Sequence, residues 1–145
     1  MNVKYSALEI ATALAKFDQQ VHPPTEEQSA IIESLHLAPT IVIAGAGSGK
    51  TETMAARVLW LVANGFATPE QILGLTFTNK AASELSARIR KRLRQLAKSG
   101  LISTEISGSK CDVFTYHSYA GRILQEDGVR IGLDVSSETE RISAE

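Results

Sequence analysis

The clearest chemistry in this chain lies in seven consecutive residues, Gly45, Ala46, Gly47, Ser48, Gly49, Lys50 and Thr51. The spacing Gly-x-x-x-x-Gly-Lys-Thr lets backbone N–H groups turn inward onto phosphate oxygens, because glycine adopts backbone angles that other residues resist. A lysine at the end of such a loop reaches the outer phosphates of a nucleoside triphosphate, and the neighbouring threonine hydroxyl ligates Mg²⁺. The pattern points to ATP with Mg²⁺, and Lys50 and Thr51 are the candidate catalytic pair. The rival reading is a chance glycine-rich turn, so the elements on either side decide its worth.

A phosphate loop needs a buried strand before it and a helix N-terminus behind it. Thr40-Ile41-Val42-Ile43 is a β-branched apolar run without polar alternation, which predicts a strand buried on both faces of a parallel sheet. After the loop, Met54, Ala55, Val58, Leu61 and Val62 fall on one helical face, and Gly65 stands where a left-handed cap would end that helix. Upstream, Ser6 with Glu9 and Thr25 with Gln28 have capping-box spacing. They predict two helices separated by Pro23-Pro24, the second reaching about Leu35.

Downstream, Thr68-Pro69-Glu70-Gln71 predicts a short turn and Ile72 to Phe77 a strand. Asn79 is the expected cap of a long helix to about Lys98, with Ala82, Leu85, Ile89, Leu93 and Leu96 as its buried stripe and Gly100 as its end. A polar loop through Ser109 leads to a strand around Asp112 to Thr115, then to a helix starting at Ser118 or its neighbour and ending near Gly128. Alternating strands and helices predict the α/β class, a three-layer α/β/α sandwich with a parallel sheet and right-handed crossovers. Ser136-Ser137-Glu138-Thr139-Glu140-Arg141 reads as the opening of a helix left incomplete, so the C-terminus is expected to be a cut.

The 145 residues suffice for one ordinary domain, and 43% apolar with 21% charged residues is a globular balance. No apolar run predicts a membrane span or a secretory signal, and Cys111 is the only cysteine, which excludes an internal disulfide and a cysteine-based zinc site. These features predict an intracellular, cytoplasmic protein. With a net charge of −1, contact with nucleic acid would have to come from a local patch.

Efficient hydrolysis needs a second acidic residue on Mg²⁺. Asp134 after Ile131-Gly132-Leu133 is the near candidate, but the glycine and the short run argue against a central strand there. Nucleotide binding is thus expected without efficient hydrolysis. A small P-loop kinase would need an arginine-bearing lid and an acceptor site, which nothing after Gly128 supplies. A non-hydrolysing nucleotide-binding or interaction module remains as the rival class.

Four segments in order resemble the N-terminal motifs of superfamily 1 DNA helicases of the UvrD/Rep/PcrA type. Pro24-Thr25-Glu26-Glu27-Gln28-Ser29-Ala30-Ile31 resembles their Q motif, Ala44 to Thr51 their motif I, Leu75 to Ala82 their motif Ia, and Thr115 to Leu124 their motif Ib. The resemblance implies an ATP-driven translocase on single-stranded DNA, moving 3′ to 5′ and serving DNA repair or recombination. It divides the chain into an N-terminal helical extension (1–23), part of a RecA-like ATP-binding domain (24–128) and the start of an inserted helical subdomain (129–145). By the same resemblance, the second acid, the arginine finger and the second RecA-like domain lie further along the parent chain. About twenty residues before the usual start, and a long loop between motifs Ia and Ib, look more like the RecB-related helicase-nucleases, including the AdnB type.

The resemblance also assigns residues. Gln28 would read the adenine edge, donating and accepting at once; the bland alternative is that it only closes a capping box with Thr25. Arg57 matches a motif I helix arginine, whereas Glu52 stands where arginine is common, which puts nucleotide contact from that position in doubt. Phe77, Thr78, Asn79, Lys80, Tyr116 and His117, at the ends of two strands, would contact DNA, since open α/β sheets bind ligands there and aromatic rings stack on bases. The bland alternative makes Phe77 a core residue and His117 a turn residue. Arg88, Arg90, Lys91, Arg92 and Arg94 spread around their helix and read as a solvated face.

Overall fold

The computed structural model describes residues 2–35 and 39–132; Asp134 and the expected helix near Ser136 lie outside them. Helix α1 (Ala7–Ala15) begins at a reciprocal cap. The Glu9 N–H donates to the Ser6 hydroxyl at 3.2 Å, and the Ser6 N–H donates to the Glu9 carboxylate at 2.7 Å. That backbone donor, followed by the Ser6 hydroxyl, holds the Glu9 carboxyl below its ordinary pKa. Helix α2 (Glu26–Ile32) uses the same device between Thr25 and Gln28 and stops short of Leu35.

Helix α3 (Lys50–Ala63) follows the glycine loop, and a 3₁₀ turn (Pro69–Gln71) leads into strand β1 (Leu73–Thr76). Helix α4 (Asn79–Lys98), a short α5 (Thr104–Gly108), strand β2 (Asp112–Thr115), helix α6 (Tyr116–Asp127) and a 3₁₀ turn (Gly128–Ile131) complete the order. Gly65 and Gly100 take φ of +73° and +82°, and close α3 and α4 as expected. The caps of α4 and α6 differ from expectation. Thr78, two residues past β1, and Thr115, at the end of β2, are both extended and accept from the N–H groups of Ala81 and Ser118 at 3.1 Å, so α6 starts before Ser118. The five residues of α5 lie inside the expected polar loop, too short to show a periodicity.

Strands β1 and β2 pair in parallel, from Leu73 opposite Asp112 to Thr76 opposite Thr115, with α4 inside the connection. Side chains alternate across β2. Val113 packs on the core cluster that includes Leu85, Ile89 and Leu93 of α4, while the Phe114 ring lies 6.2 Å from Tyr119 of α6. The chain is therefore α/β with a small parallel sheet between helical layers.

One expectation fails and another holds only in part. Thr40–Ile43 joins neither described strand, and Ile41 and Ile43 are 87% and 95% exposed. A β-branched run proposes a strand, but only a ladder partner makes one, and Thr40–Ile43 pairs with no strand among the described residues. On α3 the expected face holds in part: Ala55 and Val62 are buried and Val58 and Leu61 pack against the core, but Leu59, Trp60 and Ala63 are buried as well and Met54 is exposed. Trp60 sets that rotation, because its indole N–H donates to the Tyr5 carbonyl at 2.9 Å.

Ala7, Ile10, Leu14 and Val21 lie in one buried cluster with Leu59, Trp60, Leu93 and Leu96. The N-terminal extension is thus part of the core. No helix among the described residues is long and apolar enough to cross a membrane.

Candidate functional site

The loop from Gly45 to Thr51 turns on two left-handed glycines, Gly47 at φ +76° and Gly49 at φ +80°, the latter serving as N-cap of α3. Lys50, the first helical residue, donates from Nζ to the carbonyls of Ala44 at 3.0 Å and Gly45 at 2.6 Å. Ser48 Oγ donates to the same Gly45 carbonyl at 2.7 Å. Among the described residues Lys50 has no carboxylate partner, so its charge is held only by the Ala44 and Gly45 carbonyls, beside a helix N-terminus that is itself electropositive. Ala46 and Thr51 are exposed on the same turn.

Gln28 closes the expected capping box and also reaches the glycine loop. Its Oε1 accepts from the Thr25 N–H at 3.0 Å, closing the cap, while Nε2 donates to the Ser48 carbonyl at 3.3 Å. Arg57 reaches back from α3 and donates to the carbonyls of Ile31 and Ile32 at 2.8 and 3.1 Å, the C-terminal acceptors of α2. Helix α2 is therefore tied to the loop at one end and to α3 at the other. Between them opens a cleft of about 590 Å³ whose walls include Gln28, Ser48, Lys50 and Arg57. That volume lies in the range of small-molecule sites. The Lys50 cation without a carboxylate partner, the glycine turn, the helix N-terminus and the Thr51 hydroxyl form a set that fits ATP with Mg²⁺.

Glu52, the motif I position whose nucleotide contact the sequence put in doubt, faces α4 instead. Its carboxylate pairs with Arg88 at 3.1 Å and with Arg92, which is only 6% exposed. Lys91 pairs with Asp18 at 2.6 Å. The solvated-face reading holds for Arg90, Lys91 and Arg94, which are exposed, and is corrected at Arg92, which is buried against Glu52, with Arg88 half-buried beside it. The signal was present in the opposed charges of Glu52 and that run, but sequence spacing alone does not tell which α4 cations face α3.

At the carboxyl ends of the paired strands, Phe77 is 89% exposed and Tyr116 50%, with ring centroids 5.3 Å apart and planes inclined by 40°. The bland reading of Phe77 as a core residue is thereby removed. Asn79 and Lys80 open α4 and Tyr116 and His117 open α6, all with exposed side chains. Thr78 spends its hydroxyl on the α4 cap, and its carbonyl accepts from Thr76 Oγ1 at 3.1 Å. The parallel register sets these residues side by side, because Thr76 and Thr115 are partners.

A parallel α/β core with a glycine loop feeding a helix defines the P-loop class, here as part of a RecA-like domain. The family model described as the UvrD/REP helicase N-terminal domain matches residues 24–144, and the chain belongs to that family. It is similar to DNA helicase IV of Escherichia coli, 39% identical over 123 residues, which cover 83% of this chain and 16% of that protein. The ATP-dependent DNA helicase PcrA of Staphylococcus epidermidis is 36% identical over 108 residues, covering 74% of this chain and 13% of its own length. A probable DNA helicase II homolog of Mycoplasma capricolum is 38% identical over 96 residues, covering 66% and 12%. The chain thus spans between 12% and 16% of the length of these relatives.

Proposed function

We infer that this chain is the ATP-binding N-terminal part of an ATP-dependent DNA helicase or translocase, moving 3′ to 5′ on single-stranded DNA in repair or recombination. The observation that carries the reading is one cleft shared by Gln28, Ser48, Lys50 and Arg57. Bound ATP would supply the phosphoanhydride whose hydrolysis drives movement. Gly45 to Gly49 turn N–H groups toward phosphate, Lys50 neutralises the outer phosphates, Thr51 offers its hydroxyl to Mg²⁺, and Gln28 faces the base. Phe77 and Tyr116 stack on bases, while Thr78, Asn79, Lys80 and His117 meet the sugar-phosphate backbone.

These 145 residues are expected to hold Mg-ATP weakly without DNA-stimulated turnover, and a longer chain with the remaining helicase domains to hydrolyse it when DNA is added. Thermal denaturation with and without Mg-ATP tests the first part. The wild-type midpoint rises and that of Lys50→Ala does not, because only ligand held by the native state stabilises it. An equal rise in both places ATP elsewhere, and robust hydrolysis by the 145 residues sinks the claim of binding without turnover.

A further inference from the structure

Helix α4 sorts its cations. Arg88, Lys91 and Arg92 are committed to Glu52 and Asp18, whereas Arg90 on the other flank pairs with no acid among the described residues. Arg90 is the last member of a row formed by Asn79, Ser83, Ser86 and Arg90, at steps of four, three and four along one helical face. That row lines a cleft of about 370 Å³ against the β2 side, together with Lys110, Asp112 and Phe114. Lys110 also has no acidic partner among the described residues, and it lines an adjoining cleft with Arg90. The one acid present, Asp112, is neutralised by Arg122 at 3.1 Å. The Ser83 and Ser86 hydroxyls make no hydrogen bond among the described residues, so hydroxyl donors and two free cations line one groove.

We propose that this groove holds the phosphodiester backbone of a single-stranded nucleic acid, extending the track beyond the strand-end aromatic pair. The proposal rests on the DNA reading of Phe77 and Tyr116 given above. Asn79 begins the row two residues after Phe77, and Arg90 ends it about 16 Å further along the helix axis at 1.5 Å per residue. A track of cations and hydroxyls leading away from exposed rings is the arrangement that single-stranded nucleic acid requires, with rings for bases and cations for phosphates. An acidic peptide offers no bases to stack on the rings, and a membrane surface is too broad to enter a groove between a helix and a strand.

The test is fluorescence anisotropy of the 145-residue chain with a labelled oligothymidylate of about 15 nucleotides and one of about 4, at several salt concentrations. Arg90→Ala with Lys110→Ala is compared with Lys4→Ala with Lys16→Ala, which loses the same charge elsewhere, and with Phe77→Ala with Tyr116→Ala. Circular dichroism checks that each variant is folded. The Arg90 and Lys110 double variant is expected to bind the long oligonucleotide several-fold more weakly. Its log–log salt slope should fall by about 1.4, at roughly 0.7 per phosphate contact on a single strand. Binding of the short one should be unchanged.

An unchanged slope, or the same loss in the Lys4 and Lys16 control, overturns the groove. In that case continued weakening by the aromatic double variant leaves the strand-end reading standing. Tighter, groove-dependent binding of polyglutamate or of phosphatidylserine vesicles overturns nucleic acid as the occupant. Failure of the wild type to bind either oligonucleotide overturns both readings.

Discussion

Glu52, in the first turn of α3, pairs with the buried Arg92 of α4, so the helix that starts at Lys50 is locked to the helix that starts beside Phe77. The two helices lead from the candidate nucleotide and nucleic-acid sites, and this pair with its Arg88 neighbour is a direct polar tie between them.

The two partners should respond unequally to replacement. Glu52→Ala leaves a guanidinium buried without its carboxylate and is expected to cost about 1–3 kcal/mol, discounted because Glu52 itself is partly exposed. Arg92→Met removes the buried charge along with the pair, keeps Arg88 on Glu52, and should cost less than 1.5 kcal/mol. Urea denaturation followed through Trp60, the only tryptophan and fully buried, gives both values. A larger loss for Arg92→Met contradicts the account.

The loop glycines make a second, graded comparison. Gly47→Ala meets no atom within 4 Å and bears only the strain of φ +76°, about 1–2 kcal/mol. Gly49→Ala has φ +80° and also places its methyl 3.1 Å from Gln28 Nε2, displacing the tie from α2 to Ser48. It should lose more stability than Gly47→Ala in the same urea titration and more of the Mg-ATP thermal shift. Equal losses mean that the Gln28 contact carries nothing.

Asn64 was invisible as a functional position in the sequence, yet it is buried and fastens the N-terminal segment. Its Oδ1 accepts from the N–H groups of Lys4 at 2.6 Å and Tyr5 at 2.9 Å, and its Nδ2 donates to the carbonyls of Tyr5 at 3.0 Å and Trp60 at 2.9 Å. Asn64→Ala should cost about 2–4 kcal/mol by orphaning buried backbone groups. Hydrogen exchange should quicken first in residues 2–16, and uniform quickening across the chain is the contrary outcome.

What was legible followed from local physics. The capping boxes at Ser6 and Thr25, the α4 stripe from Ala82 to Leu96 and the left-handed ends at Gly65 and Gly100 depend on neighbours within a turn or two, and all appear. Thr40–Ile43 went wrong because strand formation depends on a partner far along the chain, which composition does not report. The loop around Lys50 was legible as chemistry for the same local reason. The commitment of Glu52 to Arg88 and Arg92 depends on which faces of α3 and α4 meet, a tertiary fact.

The last prediction concerns acid. The Lys91 ammonium, 2.6 Å away, and then the Gln20 N–H hold the Asp18 carboxyl below its ordinary pKa. The folded value lies below the unfolded one, so the unfolded chain binds this proton more readily. The contribution of Asp18 is therefore present in full above the unfolded value of about 3.9 and is lost as pH falls through the folded value. Asp18→Asn should melt below the wild type at neutral pH and approach it on acidification. High salt should narrow the neutral-pH gap, because Lys91 is exposed and its attraction is screened. Thermal midpoints of the two proteins between about pH 2 and pH 7 measure this over the range in which a depressed carboxylate titrates. A gap that stays constant across that range would show that Asp18 acts through packing or hydrogen bonding and not through its charge.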